Sequence, residues 1–136
     1  MKWKEYTFLA HLINAGILGA VLLLAPGRFL ALLGWAPIDP IMSRLLGSVT
    51  LALAWSSYRG WRIMAGTQGA ALEASDEARI GLLVQMEAMY TLLACVGLLR
   101  HLLHGRWPWY AWLLLADYAL FACAWIGCAV PQRKSA

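Results

Sequence analysis

Charge is scarce in this chain: 13% of its 136 residues are Asp, Glu, Lys or Arg, about half the share usual in a soluble domain. With 62% hydrophobic residues and a mean hydropathy of +0.64, that deficit excludes a water-soluble globule. It predicts one integral membrane domain over 1–136. Acids are scarcer than bases, 7 against 11, but the bases fall singly at the ends of apolar segments and form no patch or stripe. They read as topology signals and lipid contacts, and no nucleic-acid partner is expected. Cysteine is limited to Cys95, Cys123 and Cys128, all inside apolar runs, with neither a disulfide framework nor a zinc spacing. The chain has no phosphate loop, nucleophile elbow, CxxC or HExxH, so no motif supports hydrolysis, phosphoryl transfer or thiol redox chemistry.

What the chain does have is long apolar runs. Ile80 to Leu99 is apolar except for Gln85 and Glu87, and twenty residues at about 1.5 Å each cross the hydrocarbon core of a bilayer. Three other runs complete an all-α fold, a four-transmembrane-helix antiparallel bundle with spans at about 7–25, 40–59, 80–100 and 109–130. The first run follows Lys2 and Lys4 but is too long for a signal peptide, and it carries His11 and Asn14. Its pairs Ala15/Gly19 and Gly16/Ala20 have the small-xxx-small spacing that lets helix backbones approach closely. Pro26-Gly27 ends it, and Arg28–Leu33 is too short to span, so it reads as an interfacial helix with Trp35 at headgroup level. Asp39-Pro40 is a helix start, an N-cap residue followed by proline at the first helical position. Residues 60–79 are the one hydrophilic loop, turning at Gly66-Thr67-Gln68-Gly69 and starting the next helix at Ser75.

Four spans put both termini on one side. The bases on that side number seven (Lys2, Lys4, Arg59, Arg62, Arg79, Arg133, Lys134), against Arg28, Arg44, Arg100 and Arg106 on the other. The positive-inside rule then predicts a plasma membrane protein with both termini cytoplasmic. Gly34-Trp35-Ala36-Pro37 and Gly105-Arg106-Trp107-Pro108 give the halves a similar layout, which is read as coincidence because such breaks are common at membrane ends.

Polar residues at membrane depth are the only candidates for chemistry. A carboxylate at the centre of a span costs roughly 2.5–3.5 kcal/mol on insertion scales, so Glu87 must face protein or water, be protonated, or meet a cation. Counting along the helices puts Asn14 at its depth with His11 slightly nearer the surface. Trp55 and Tyr90 complete a candidate ligand-binding or proton-linked site with these three. Gln85 lies about 200° around the helix from Glu87 and belongs to a different face. Arg44 is expected to pair with Asp117, with Glu87 as competing acceptor. His11 lies near one end of its span, and His101 and His104 near the other end of theirs, which excludes an intrachain bis-His haem. No metal site and no resident cofactor are expected, although a lipid, quinone or pigment would suit such a bundle.

The run Leu22–Pro26, the short helix ending at Gly34, and Pro40-x-x-x-Arg44-x-x-Gly47 opening an Ala/Leu-rich span resemble the small four-helix bacterial membrane proteins grouped as DoxX-like. The resemblance implies the four-helix architecture, a role for Arg44, and an analogy to quinone-linked oxidoreductases. Three functions are therefore open. The first is a non-catalytic accessory or structural subunit packing against other membrane subunits or itself. The second is a binder or carrier of a small lipophilic or protonatable ligand, and the third is a subunit of a quinone-linked oxidoreductase. The residues favour the first, since no catalytic motif is present and His11 and Asn14 could satisfy a protonated Glu87 by hydrogen bonds alone.

Overall fold

The computed structural model describes residues 2–34, 39–67, 72–105 and 107–130. Five helices, with no strand among these residues, make up the fold: α1 (Lys2–Leu24), α2 (Pro26–Leu32), α3 (Pro40–Gly66), α4 (Ala74–Leu103) and α5 (Ala111–Ala129). Three of them, α1, α4 and α5, are long and apolar enough to cross a membrane. Large apolar side chains such as Ile17, Leu93 and Leu120 stay exposed on their outer faces, as a helix surrounded by acyl chains requires.

The local signals act as physical chemistry dictates. Asp39 caps α3, its Oδ1 accepting from the backbone N–H of Ile41 at 2.8 Å and Met42 at 3.3 Å. α2 takes Pro26 into its first turn, where the missing N–H has no bond to lose. Gly34 follows with φ +77°, and a Cβ there would lie 3.2 Å from Pro108. The break after α2 thus rests against the break before α5. Trp35, Gln68, Gly69, Arg106, Arg133 and Lys134 lie outside the described residues.

The polar connection between α3 and α4 is shorter than its composition predicts. α3 continues to Gly66, with Met64 buried in the core beside Ile80 and Val84 of α4. α4 begins at Ala74, with Glu73 as its N-cap, instead of at Ser75. Apolar residues of the loop segment, Trp61, Ile63 and Leu72, pack against that core, and their burial offsets the weak helix signals of the sequence.

α1 and α3 make the tightest contact. A methyl on Gly47 would lie 2.7 Å from the backbone N of Leu23 and 2.9 Å from the Gly19 carbonyl oxygen. One on Gly19 would lie 2.8 Å from Leu51 Cγ. Further along, Phe8 sits on Gly60 so closely that a side chain there would overlap its ring. The pairs 8–60 and 19–47 show residue numbers rising on α1 as they fall on α3. Of the two small-residue pairs on α1, Ala15/Gly19 is buried, whereas a methyl on Gly16 would meet nothing within 4 Å. At the Phe8 end, Phe8, Met64, Ile80, Val84, Trp125 and Cys128 close the core, with Phe8 edge-on to Trp125 at 4.9 Å.

Gly47→Ala should therefore force α1 and α3 apart and destabilise the protein by about 1–3 kcal/mol, the usual cost of overpacking. Gly16→Ala should be neutral or slightly stabilising, as expected where a helical glycine gains a methyl in open space. Thermal unfolding in detergent compares the two, and equal melting temperatures would refute the close contact.

Candidate functional site

Glu87 faces inward from the middle of α4 and is wholly enclosed, with 0% exposure. α3 supplies two hydroxyls to it. Ser56 Oγ hydrogen-bonds Glu87 Oε1 and lies 2.8 Å from the Leu53 carbonyl. Ser57 Oγ lies 3.0 Å from the same Oε1 and 2.9 Å from His11 Nδ1 of α1. His11 Nδ1 is also 3.6 Å from Glu87 Oε2. Phe121 and Trp125 of α5 hold the imidazole edge-on at 4.9 and 5.5 Å between ring centroids.

A hydroxyl has one hydrogen, and a carbonyl can only accept. Ser56 shares its hydrogen between the Leu53 carbonyl and Glu87 Oε1. Ser57 donates to Oε1, so its bond to His11 uses a hydrogen on Nδ1. Oε1 thus accepts from both serines, and Oε2 is left without a hydrogen-bond partner, a smaller burden in a membrane interior for a neutral acid than for a carboxylate.

A second polar pair lies about one turn along α1. Asn14 Nδ2 donates to Asp117 Oδ1 of α5 at 2.6 Å. The hydroxyls of Tyr90 on α4 and Tyr118 on α5 face each other at 3.5 Å. Between the two groups is a cavity of about 10 Å³, lined by His11, Thr50, Thr91 and Asp117 among others. A larger apolar cavity of about 260 Å³ begins at Tyr90 and Tyr118 and extends past Leu18, Phe29, Leu46, Gly97 and Leu114. All five helices contribute to its wall.

The sequence-derived site is thus divided. Glu87 and His11 meet. Asn14 serves Asp117 instead, and Tyr90 belongs to the Asp117 side. Trp55 is 61% exposed and stacks on Tyr58 at 5.2 Å between centroids, so it lines neither cavity. The expected Arg44–Asp117 pair is not formed, because α3 turns Ser43, Gly47, Thr50, Ala54 and Ser57 inward and leaves Arg44 on the exposed flank. Glu87 does not receive Arg44 either. Gln85 is exposed, on the far side of α4 from Glu87, as the helical angle requires. At the other end of α4, His104 Nδ1 bonds the Arg100 carbonyl at 2.6 Å and His101 stacks with Trp107.

Ser56, Ser57, Thr91, Tyr118, Phe121 and Trp125 were not anticipated. The adjacent serines in an otherwise apolar stretch at the depth of Glu87 are the signal that could have found the first two. Compared with models of known families, with curated proteins and with solved structures, the chain has no match.

Proposed function

We propose that this is a four-span antiparallel bundle that binds a small lipophilic molecule, polar end first, in the cavity above Tyr90 and Tyr118. α3 serves as the fourth span. It has 27 residues, about 40 Å of helix, and several of its hydroxyls bond its own backbone. Ser43, Ser48 and Thr50 donate to the carbonyls of Asp39, Arg44 and Leu46 at 2.9–3.0 Å, so hydroxyls in the bilayer carry no unpaired hydrogen. The contacts 8–60 and 19–47 support its antiparallel course along α1. Lys2, Lys4, Arg59, Arg62 and Arg79 then share one end of the bundle, which is the cytoplasmic end under the positive-inside rule. A membrane-impermeant thiol reagent applied to intact cells should fail to label Thr67→Cys in a cysteine-free background, whereas labelling from outside would reverse the orientation.

The observation that carries the binding role is the cavity of about 260 Å³, close to the lower limit of about 300 Å³ for small-molecule sites. Its walls are apolar and its polar contacts are confined to the tyrosine end. An apolar tail with a single hydrogen-bonding head fits that distribution, a chemistry that acyl lipids and quinones share. A methyl on Gly97 meets no atom within 4 Å, so Gly97→Leu should fill the cavity without strain. Binding of a fluorescent single-chain fatty acid should weaken at least tenfold while the melting temperature holds. Unchanged affinity in a folded Gly97→Leu protein would reject the site.

One observation favours assembly as a second role. Gln85 is exposed on a membrane-spanning helix among Leu82, Met86, Met89 and Leu93, and no hydrogen bond within the described residues reaches its amide. An amide carries both donor and acceptor, and in apolar surroundings it gains about 1 kcal/mol from a partner helix. Gln85→Leu should shift the native-gel or crosslinking pattern from an oligomer towards the monomer, and an unaltered pattern would remove this reading.

A further inference from the structure

We propose that one water molecule occupies the small cavity between His11 and Asp117 and joins Glu87 and Asp117 into a single proton-holding array inside the bilayer. The cavity measures about 10 Å³, at the threshold for one water, and a buried water needs two to four polar partners. Its lining supplies them. Four helices bring titratable or hydroxyl groups to this point: His11 from α1, Thr50 from α3, Tyr90 and Thr91 from α4, and Asp117 and Tyr118 from α5. Among the described residues, no lysine or arginine joins them.

The hydrogens can be counted here as well. Thr50 and Thr91 have spent theirs on the backbone carbonyls of Leu46 and Glu87. His11 has its Nδ1–H committed to Ser57, which leaves Nε2 bare and able to accept. Asp117 receives one hydrogen from Asn14 and has acceptor capacity to spare. Of the two phenol hydrogens, one bridges Tyr90 and Tyr118 and the other is free to donate. A water therefore donates to His11 Nε2 and to Asp117 and accepts from a tyrosine, three bonds with no hydrogen left over. Asp117 then accepts twice, from Asn14 and from the water, while Glu87, wholly enclosed and without a lysine or arginine among its described contacts, keeps its proton. The two nitrogens of the imidazole, Nδ1 towards Ser57 and Nε2 towards the water, link the two carboxyl groups. With the water in place each member bonds the next, so a change at Asp117 is felt at Glu87.

Infrared spectroscopy of the full chain in lipid nanodiscs at neutral pH, without added ligand, tests this independently of the lipophilic-ligand role. A carbonyl band of a protonated carboxylic acid should be present, should lose its Glu87 component in Glu87→Gln, and should have that component displaced in Asp117→Asn although Glu87 is untouched. Glu87→Asp keeps an acid in place and should move the band instead of abolishing it, which serves where the Gln variant fails to assemble. A spectrum with no acid band sensitive to position 87 would overturn the proposal. So would an acid band that Asp117→Asn leaves where it was, since the two carboxyls would then be separate.

Discussion

A carboxyl group enclosed between membrane helices must have its hydrogens accounted for, and Glu87 imposes that requirement on three neighbours. Isolated, it would disfavour insertion of α4 by a few kcal/mol. It is tolerated because α3 presents Ser56 and Ser57 at the same level and α1 presents His11 behind them. Both hydroxyls donate to its Oε1 and each has a further partner in its own helix or in the imidazole, so the carboxyl is bonded without a lysine or arginine among the described residues. The bonds cross between helices, which ties the rotational setting of α1 and α3 to that of α4.

The same setting explains why the bundle is dense at one end and open at the other. α1 and α3 touch backbone to backbone at Gly19 and Gly47, and close approach of two helices leaves little side-chain volume between that pair and the next. At the Phe8 end the deficit is filled by Trp125, Met64 and Ile80. At the α2 end the facing positions on α4 are Ala94 and Gly97, which are too small to fill it. α2 folds back so that Phe29 and Leu30 line the space without closing it. The apolar cavity is thus a consequence of where glycines and large aromatics fall along the same four helices. Protein interiors seldom leave such a volume unfilled, which is the reason for assigning it an occupant.

What was legible in the sequence was axial. Hydropathy and length located the helices, Asp39-Pro40 and Pro26 marked their starts, and counting residues placed Glu87, His11 and Asn14 at comparable depth. What was not legible was azimuthal. Arg44, Ser48, Leu51, Trp55 and Arg59 form a stripe, but a stripe does not state which way it faces, and α3 turns most of it outward. The inward face is set by Gly47 and by the serines, one or two positions away. A 100° step per residue makes that difference decisive. Asn14 and Asp117 illustrate the same point, since depth alone permitted Asn14 to meet Glu87, and only the packing of α1 on α5 assigns it to Asp117.

The polar groups form two levels along α1 and α5. Residues three apart on α1, His11 and Asn14, meet residues four apart on α5, Phe121 and Asp117. Moving along α1 away from its N-terminus therefore leads from the enclosed Glu87 cluster, past Asp117, to the tyrosines and the apolar cavity. The sequence of environments is a carboxyl, an imidazole, a second carboxyl, two phenols and then hydrocarbon. The last steps exchange a carboxyl for phenols and phenols for aliphatic carbon, so the polarity falls towards the space where a lipophilic tail would lie. A head group arriving at Tyr90 and Tyr118 would compete for the one phenol hydrogen not used between them, and through it would reach the carboxyl groups below. That continuity gives a buried acid, which purely structural packing could replace with leucine, a physical reason to be where it is.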